Sequence, residues 1–310
     1  MKNNLSNIKK SKYYLDKSEC VAIPTETVYG LTGNAYSNKA TLKIFKLKKR
    51  TKKNPLIVHY HNLKILNNDC ITNSQFFKLY KKFCPGPLTF VLKLKKNSKI
   101  SKNVTNKKKT LAIRFPSNRL TKKLLKFLNY PLAAPSANIS TKISPVSKED
   151  VKEEFGNKIK FILDGGRSKI GLESTIISLV DKPRILRLGG MERKKINKVL
   201  NKNIKYDKAN KKITVPGQSK LHYSPGIPIK LNNTKPKPNE AFILIKKRKK
   251  SYKNYYYLTK NKNLKQAAKN LYRILRVIKK KNYERIVVEK IPNNGFGETI
   301  NDRLKRASTK

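Results

Sequence analysis

Short apolar runs alternate with amphipathic stretches along most of the chain. Cys20-Val-Ala-Ile, closed by Pro24, reads as a buried strand, since a brief apolar run ended by a breaker suits a strand covered on both faces. From Ala40 to Lys49 the apolar residues Leu42, Ile44, Phe45 and Leu47 fit an amphipathic helix. The run from Pro55 to His61 returns to strand. A period of two puts Ile57, His59 and His61 on one face of it and Leu56, Val58 and Tyr60 on the other. Further strands are expected over 88–94, 111–115, 160–163, 174–180 and 185–188, and helices over 74–83, 118–128 and 148–155. Many strands mixed with helices around one large core indicate an α/β fold.

The pattern changes after about residue 200. Residues 201–212 are polar and Lys-rich, and the stretch from Pro216 to Pro228 is dense in Pro and Gly, as in an ordered linker. Strands then follow at 241–245, 255–258 and 285–288, with an amphipathic helix over 264–278 and a short closing helix over 301–307. This alternation implies a second α/β domain of about eighty residues.

Composition narrows the class. No run of about 18 apolar residues exists, so a membrane-spanning helix and a membrane location are not expected. The first twenty residues lack the apolar stretch of a secretory signal. Cys20, Cys70 and Cys84 form no CxxC pair, which argues against a disulfide framework or zinc ribbon and fits a reducing cytoplasm. Lys and Arg number 74 against 18 Asp and Glu, a net charge of +56. The excess is mostly Lys, spread over the whole chain together with Asn, Ile and Tyr, residues that share A/T-rich codons. General composition bias and a selected polyanion surface both remain open. Either attracts anions, more so at low salt. The Lys clusters at 107–109, 246–250 and 279–281 read as solvated surface.

Six clusters could carry chemistry. Pro24-Thr-Glu-Thr-Val-Tyr-Gly-Leu follows a strand; its hydroxyls either face a pocket or cap a helix. Lys48 and Arg50 end the helix of residues 40–49, where cations suit phosphate oxygens and also the helix C-terminus. His59 and His61, with His222 as the only other His, are too few for a metal site and favour a neutral hydrogen-bonding role. Arg114, in the apolar run Ala112-Ile-Arg-Phe-Pro, needs a partner if buried. That partner is an internal acid or, acids being scarce, an external carboxylate. Ala133-Ala-Pro-Ser136-Ala-Asn138-Ile-Ser140 with Ser144 can bring backbone and hydroxyls close to a ligand, or simply form a turn. Asp164-Gly-Gly-Arg, Gly171-Leu-Glu-Ser174-Thr175 and Leu186-Arg187-Leu-Gly-Gly read equally as strand-end turns.

In this order, PTETVYGL, the KxR of Lys48 and Arg50, NPLIVH, CPGPLTFVL, AIRFP, the SxN of Ser136 and Asn138, GLESTI, HYSP at 222–225 and the closing GFGETINDRLKRA resemble the long form of the threonylcarbamoyl-AMP synthase family. The resemblance runs from about Ser18 to the C-terminus. It departs from the family pattern at Thr51, where Pro is usual, at Thr141 for Gly and at Leu188 for Pro.

The resemblance implies a YrdC-like catalytic domain on a twisted mixed sheet over 8–205, a linker and lid over 206–230, and a small Rossmann-like α/β domain over 231–310. It implies condensation of L-threonine, bicarbonate and ATP, with magnesium accompanying the ATP and no metal held by the protein itself. It also implies transferase proteins that place the product's threonylcarbamoyl group on tRNA, and a weak direct contact with tRNA. By position, Thr27, His59, Arg114, Ala134 and Ser174 would hold threonine. Arg50, Asn54, Thr110, Ser136, Ser144, Arg187 and Tyr223 would contact ATP, and Lys48, Arg50, Ser136 and Asn138 would serve catalysis. Two rivals predict other behaviour: a non-enzymatic RNA-binding module would bind tRNA in a salt-sensitive way, and a hydrogenase-maturation carbamoyl-transfer domain would bring zinc-binding Cys pairs and an acylphosphatase segment, neither of which the chain carries.

Overall fold

The computed structural model describes residues 2–309 apart from 208–214 and 217–220. Its larger sheet is mixed and is built from β1 (Val21–Ile23), β2 (Gly30–Asn34), β3 (Ile57–His59), β4 (Cys70–Ile71), β5 (Leu88–Leu94), β6 (Thr110–Arg114), β7 (Leu132–Ala133), β8 (Phe161–Ile162), β9 (Thr175–Ser178) and β10 (Arg184–Arg187). The order is β10-β9-β5-β6-β3-β7-β2-β1-β8, with β4 paired on β5. β3 runs parallel to β6 and β5 to β9, whereas β5 and β6, and β3 and β7, are antiparallel.

Its helices are α1 (Lys2–Asp16), α2 (Asn38–Lys48), α3 (Leu63–Asp69), α4 (Ser74–Phe83), α5 (Lys102–Thr105), α6 (Arg119–Phe127), α7 (Lys148–Phe155) and α8 (Arg193–Leu200). Ile44 and Phe45 of α2, Phe76 and Leu79 of α4 and Ile196 of α8 share the main core with Leu56, Val58, Phe90, Leu111, Ile113 and Ile177 of the sheet region. Because side chains alternate along a strand, Ile57, His59, Ala112, Arg114 and Ile176 point to the opposite face. That face carries the site. On β1 the same alternation sends Val21 and Ile23 to a separate core with α1 and α6.

Local signals explain most element bounds. α2 starts where Ser37 Oγ accepts from the Ala40 amide and stops at Lys49, which turns left-handed with φ 49°. The helix expected over 118–128 is trimmed to α6 because Asn118 caps it and Leu128 is extended. The strand expected over 55–61 shortens to β3. α1, β2 and α8 were not foreseen. α1 and α8 have many polar residues, and Gly30 and Gly33 mask the pattern of β2. A Cβ on Gly33 would lie 3.2 Å from the Ala40 Cβ, so its absence lets α2 sit on the strand.

The second sheet is wholly parallel, in the order β11 (Ile229–Lys230), β14 (Arg285–Val288), β12 (Glu240–Lys246), β13 (Tyr255–Thr259). Ala241, Ile243 and Ile245 pack on α9 (Leu264–Lys279) and α10 (Phe296–Ala307), while Phe242 and Leu244 point the other way, beneath Tyr255 and Tyr257. Burial on both faces accounts for the unbroken apolar run of β12. The closing helix is longer than the expected 301–307. This core does not end at the linker: Val28, Ile143, Val146, Leu172 and Tyr223 belong to it. Gly171, with φ +77°, sits against α9 so closely that a Cβ would lie 2.5 Å from the Lys269 carbonyl oxygen. No helix among the described residues is long and apolar enough to cross a membrane.

Candidate active site

The loop between β1 and β2 places hydroxyls at the edge of the open sheet face. Thr25 Oγ1 accepts from the amides of Thr27 and Val28, both at 3.2 Å, and donates to the Val28 carbonyl at 2.6 Å. The loop leads into a strand, so the helix-capping alternative for these threonines does not hold. The Thr27 hydroxyl lies 2.7 Å from that of Thr25 and accepts from Arg114 Nη1 at 2.8 Å.

Arg114 is buried and has an internal partner. Its Nη2 meets Glu26 Oε1 at 2.7 Å, and its Nε donates to the Gly86 carbonyl at 3.2 Å. The Ser117 amide holds the other Glu26 oxygen at 3.0 Å. The expectation that scarce acids favour an external carboxylate is therefore corrected: Glu26 neutralises the guanidinium at rest. A guanidinium has five N–H groups, so Arg114 keeps donors for a second acceptor. Beside it in register on β3 is His59. Burial, and then the charge of Arg114, hold its imidazole well below the usual value, so it is neutral at pH 7. Its Nδ1 is buried without a partner.

Two cations face the same space. Arg50 donates from Nε to the Asn54 carbonyl at 3.1 Å and from Nη2 to the Pro55 carbonyl at 3.0 Å. Arg187 donates to the Ser174 carbonyl through Nε at 3.1 Å and Nη2 at 2.8 Å, and to the Pro216 carbonyl through Nη1 at 3.1 Å. Neither forms an ion pair with a carboxylate among the described residues. Burial, and then repulsion from Arg187, push the Arg50 guanidinium down to about 9. Buried cations without counter-ions are costly, and an anionic ligand relieves that cost.

Lys48 is placed differently. Its ammonium donates to the carbonyls of Ser136 at 2.6 Å and Asn138 at 2.5 Å, clamping the Ser-x-Asn turn from behind. Burial, and then Arg50, lower its pKa well below the usual value. Asn138 in turn donates to the carbonyls of Ile139 at 2.7 Å and Lys142 at 2.9 Å.

The hollow these groups border is lined by Thr27, Arg50, His59, Arg114, Ala134, Ser136, Ser174, Arg187 and Tyr223 among the expected residues. Lys48, Asn54, Asn138 and Ser144 are buried and Thr110 is half-buried, but none of them lines it. Thr110 starts β6, about 13 Å along the strand from Arg114. The lining also includes Thr25, Ile57, Glu173, Pro216 and His222, which were not singled out as ligands. Glu173 and His222 adjoin Ser174 and Tyr223 within their motifs, and that adjacency was the available signal.

Tyr223 reaches the hollow from the linker. It has φ +66° and packs at 4.0 Å from the His222 ring and 5.8 Å from the Tyr272 ring. The Ser224 amide is held by the Thr141 carbonyl at 2.9 Å, and the His222 amide by the Arg306 carbonyl at 3.2 Å. The linker is thus pinned to both sides of the molecule. The linker expected over 206–230 also spans 208–214 and 217–220, which lie outside the described residues.

Comparisons with known proteins agree over the whole length. Residues 13–189 match the Sua5/YciO/YrdC family model described as telomere recombination, and residues 191–309 match the model for the threonylcarbamoyl-AMP synthase C-terminal domain. The chain is 34% identical over 318 residues to the threonylcarbamoyl-AMP synthase of Pyrococcus abyssi, covering 95% of this chain and 92% of that one. It is 34% identical over 329 residues to the synthase of Bacillus subtilis, covering 99% and 94%. The crystal structure of P. abyssi Sua5 complexed with L-threonine superposes with a TM-score of 0.89 at 31% identity, covering 97% of this chain and 94% of that one.

Proposed function

Since the chain belongs to the threonylcarbamoyl-AMP synthase family of the Sua5 type, we propose that this hollow joins L-threonine, bicarbonate and ATP into threonylcarbamoyl-AMP and releases pyrophosphate. The observation that carries the reading is the pairing of two environments in one cavity. Arg50 and Arg187 stand without carboxylate partners among the described residues, next to a neutral polar corner formed by Thr27, His59 and Ser174 around the compensated Arg114. The first suits a triphosphate and the second an amino acid.

In this reading the threonine carboxylate takes the free N–H groups of Arg114, and its amine and hydroxyl face His59, Thr27 and Ser174, with Ala134 beneath. The amine reacts with bicarbonate to give a carbamate and water. A carbamate oxygen then attacks the α-phosphorus of ATP, and the bond to the β-phosphate bridging oxygen breaks, so pyrophosphate leaves. No covalent intermediate with the protein is needed, and the rate rests on alignment and charge. Arg50 and Arg187 balance charge on the leaving pyrophosphate, while Ser136 and Tyr223 contact the nucleotide. Lys48 and Asn138 act on the reaction by holding the Ser136 turn. Asn54, Ser144 and Thr110 reach the nucleotide only after local adjustment.

Among the described residues no group of three or more His, Cys, Asp or Glu side chains lies together to hold a metal. Magnesium would enter as an ion carried in on the phosphates and water, where it would neutralise phosphate charge. The product's threonylcarbamoyl group would pass to a tRNA through transferase proteins in the cytoplasm. The linker would open for entry and exit, with Pro216, His222 and Tyr223 as its inner surface.

The test is pyrophosphate release by the full chain with ATP, threonine and bicarbonate, each omitted in turn. All three should be required. Release without threonine, or none at all, would overturn the reading. K48A and R50A should each lower threonine-dependent release strongly, and near-normal turnover in both would remove their assigned roles.

A further inference from the structure

Among the described residues, Glu173 is the one carboxylate on the cavity wall, and it has no counterpart in the proposed chemistry. It lies beside Ser174 and within the field of Arg187. A free carboxylate there would pair with Arg187 and repel a triphosphate. It is not free, because α10 supplies a cation to it. Arg303 is 1% exposed, and its Nε meets Glu173 Oε2 at 3.0 Å. Tyr272 of α9 donates its hydroxyl to the same carboxylate, with 3.1 Å and 3.0 Å to its two oxygens.

Arg303 makes two further contacts beside the hollow. Its Nη2 donates to the Leu188 carbonyl at 2.7 Å, one residue beyond Arg187. Its guanidinium also lies over the Tyr223 ring, 4.6 Å from the centroid. One side chain of the C-terminal domain therefore grips the Glu173 turn, the end of β10 and the linker tyrosine. Asp302 takes its remaining nitrogen at 2.6 Å, so the guanidinium is held on every side.

We propose that Arg303 is a positioning residue: by saturating Glu173 it keeps that carboxylate off Arg187 and leaves Arg187 available to the nucleotide. The inference rests on the nucleotide role given to Arg187 above. Docking of the C-terminal domain thereby sets the charge of the ATP half of the cavity without touching the substrate.

The test is calorimetric binding of Mg-ATP and of L-threonine, measured separately, to the full-length chain and to R303Q, E173Q and the R303Q/E173Q double variant. R303Q should weaken ATP binding at least tenfold and change threonine binding less than twofold, because the released Glu173 turns to Arg187. The double variant should recover most of the ATP affinity. A purely structural role would weaken both ligands and would not be rescued by E173Q. Unchanged ATP binding in R303Q, or a double variant as weak as R303Q, overturns the proposal. Should R303Q fail to fold, E173Q decides: it must bind ATP at least as tightly as the parent chain, and weaker binding overturns the proposal. A parent chain that binds neither ligand would instead refute the functional reading on which this rests.

Discussion

Replacing Glu26 by Gln removes the charge opposite Arg114 and keeps the size. The pair is buried, with side-chain exposures of 5% and 8% and a separation of 2.7 Å. Removing one partner of such a pair leaves an uncompensated ion and costs about 3–5 kcal/mol. The amide can still accept from Arg114 and from the Ser117 amide, which places E26Q at the lower end, about 3 kcal/mol. At about 2–4 °C per kcal/mol for a domain of this size, melting should fall by roughly 6–12 °C. If threonine's carboxylate then meets Arg114, it supplies the missing charge. Threonine should therefore raise the melting temperature more in E26Q than in the parent chain. Thermal melts across a threonine titration measure both effects. A variant melting within about 2 °C of the parent would show that the pair carries little of this stability, and equal threonine shifts in the two proteins would separate Arg114 from the amino-acid carboxylate.

Two further outcomes follow from the geometry. His59 and His222 are both held well below the usual pKa, by burial first and then by Arg114 for His59 and Arg50 for His222. Their unfolded forms take up protons near pH 6.5 while the folded forms do not, so stability present above that pH is lost as pH falls, by up to about 1.4 kcal/mol per pH unit for each. Urea midpoints at pH 7.5 and 5.5 should show a shallower loss in H222Q than in the parent, and equal slopes would contradict the burial argument. Gly171→Ala would force a left-handed alanine at φ +77° with its Cβ 2.5 Å from the Lys269 carbonyl oxygen. Backbone strain alone costs about 1–3 kcal/mol, so both the melting temperature and pyrophosphate release should fall; an unaffected variant would mean that α9 does not press on this turn.

Local pattern alone carried a good part of the molecule. The period of two around β3 separated Leu56, Val58 and Tyr60, which enter the core, from Ile57 and His59, which line the cavity; His61, expected on the same face, lies beyond the end of the strand and does not line it. The helical spacing of α4 and α9 was legible because one face of each meets a core. Legibility failed where glycine or polar residues diluted the pattern, as in β2 and α1, since their place is decided by what packs on them.

From the sequence alone came the alternation of elements, the order of the motifs and the face on which His59 stands. Tertiary structure decided the charges. Arg114 finds Glu26 88 positions away, and Glu173 finds Arg303 130 positions away. It also drew Val28, Leu172 and Tyr223 into the core of the smaller sheet. The physical reason is that a periodic pattern records which side of an element is dry, through the free energy of burying apolar surface. It does not record which distant ion satisfies a buried charge, because that depends on where the elements meet.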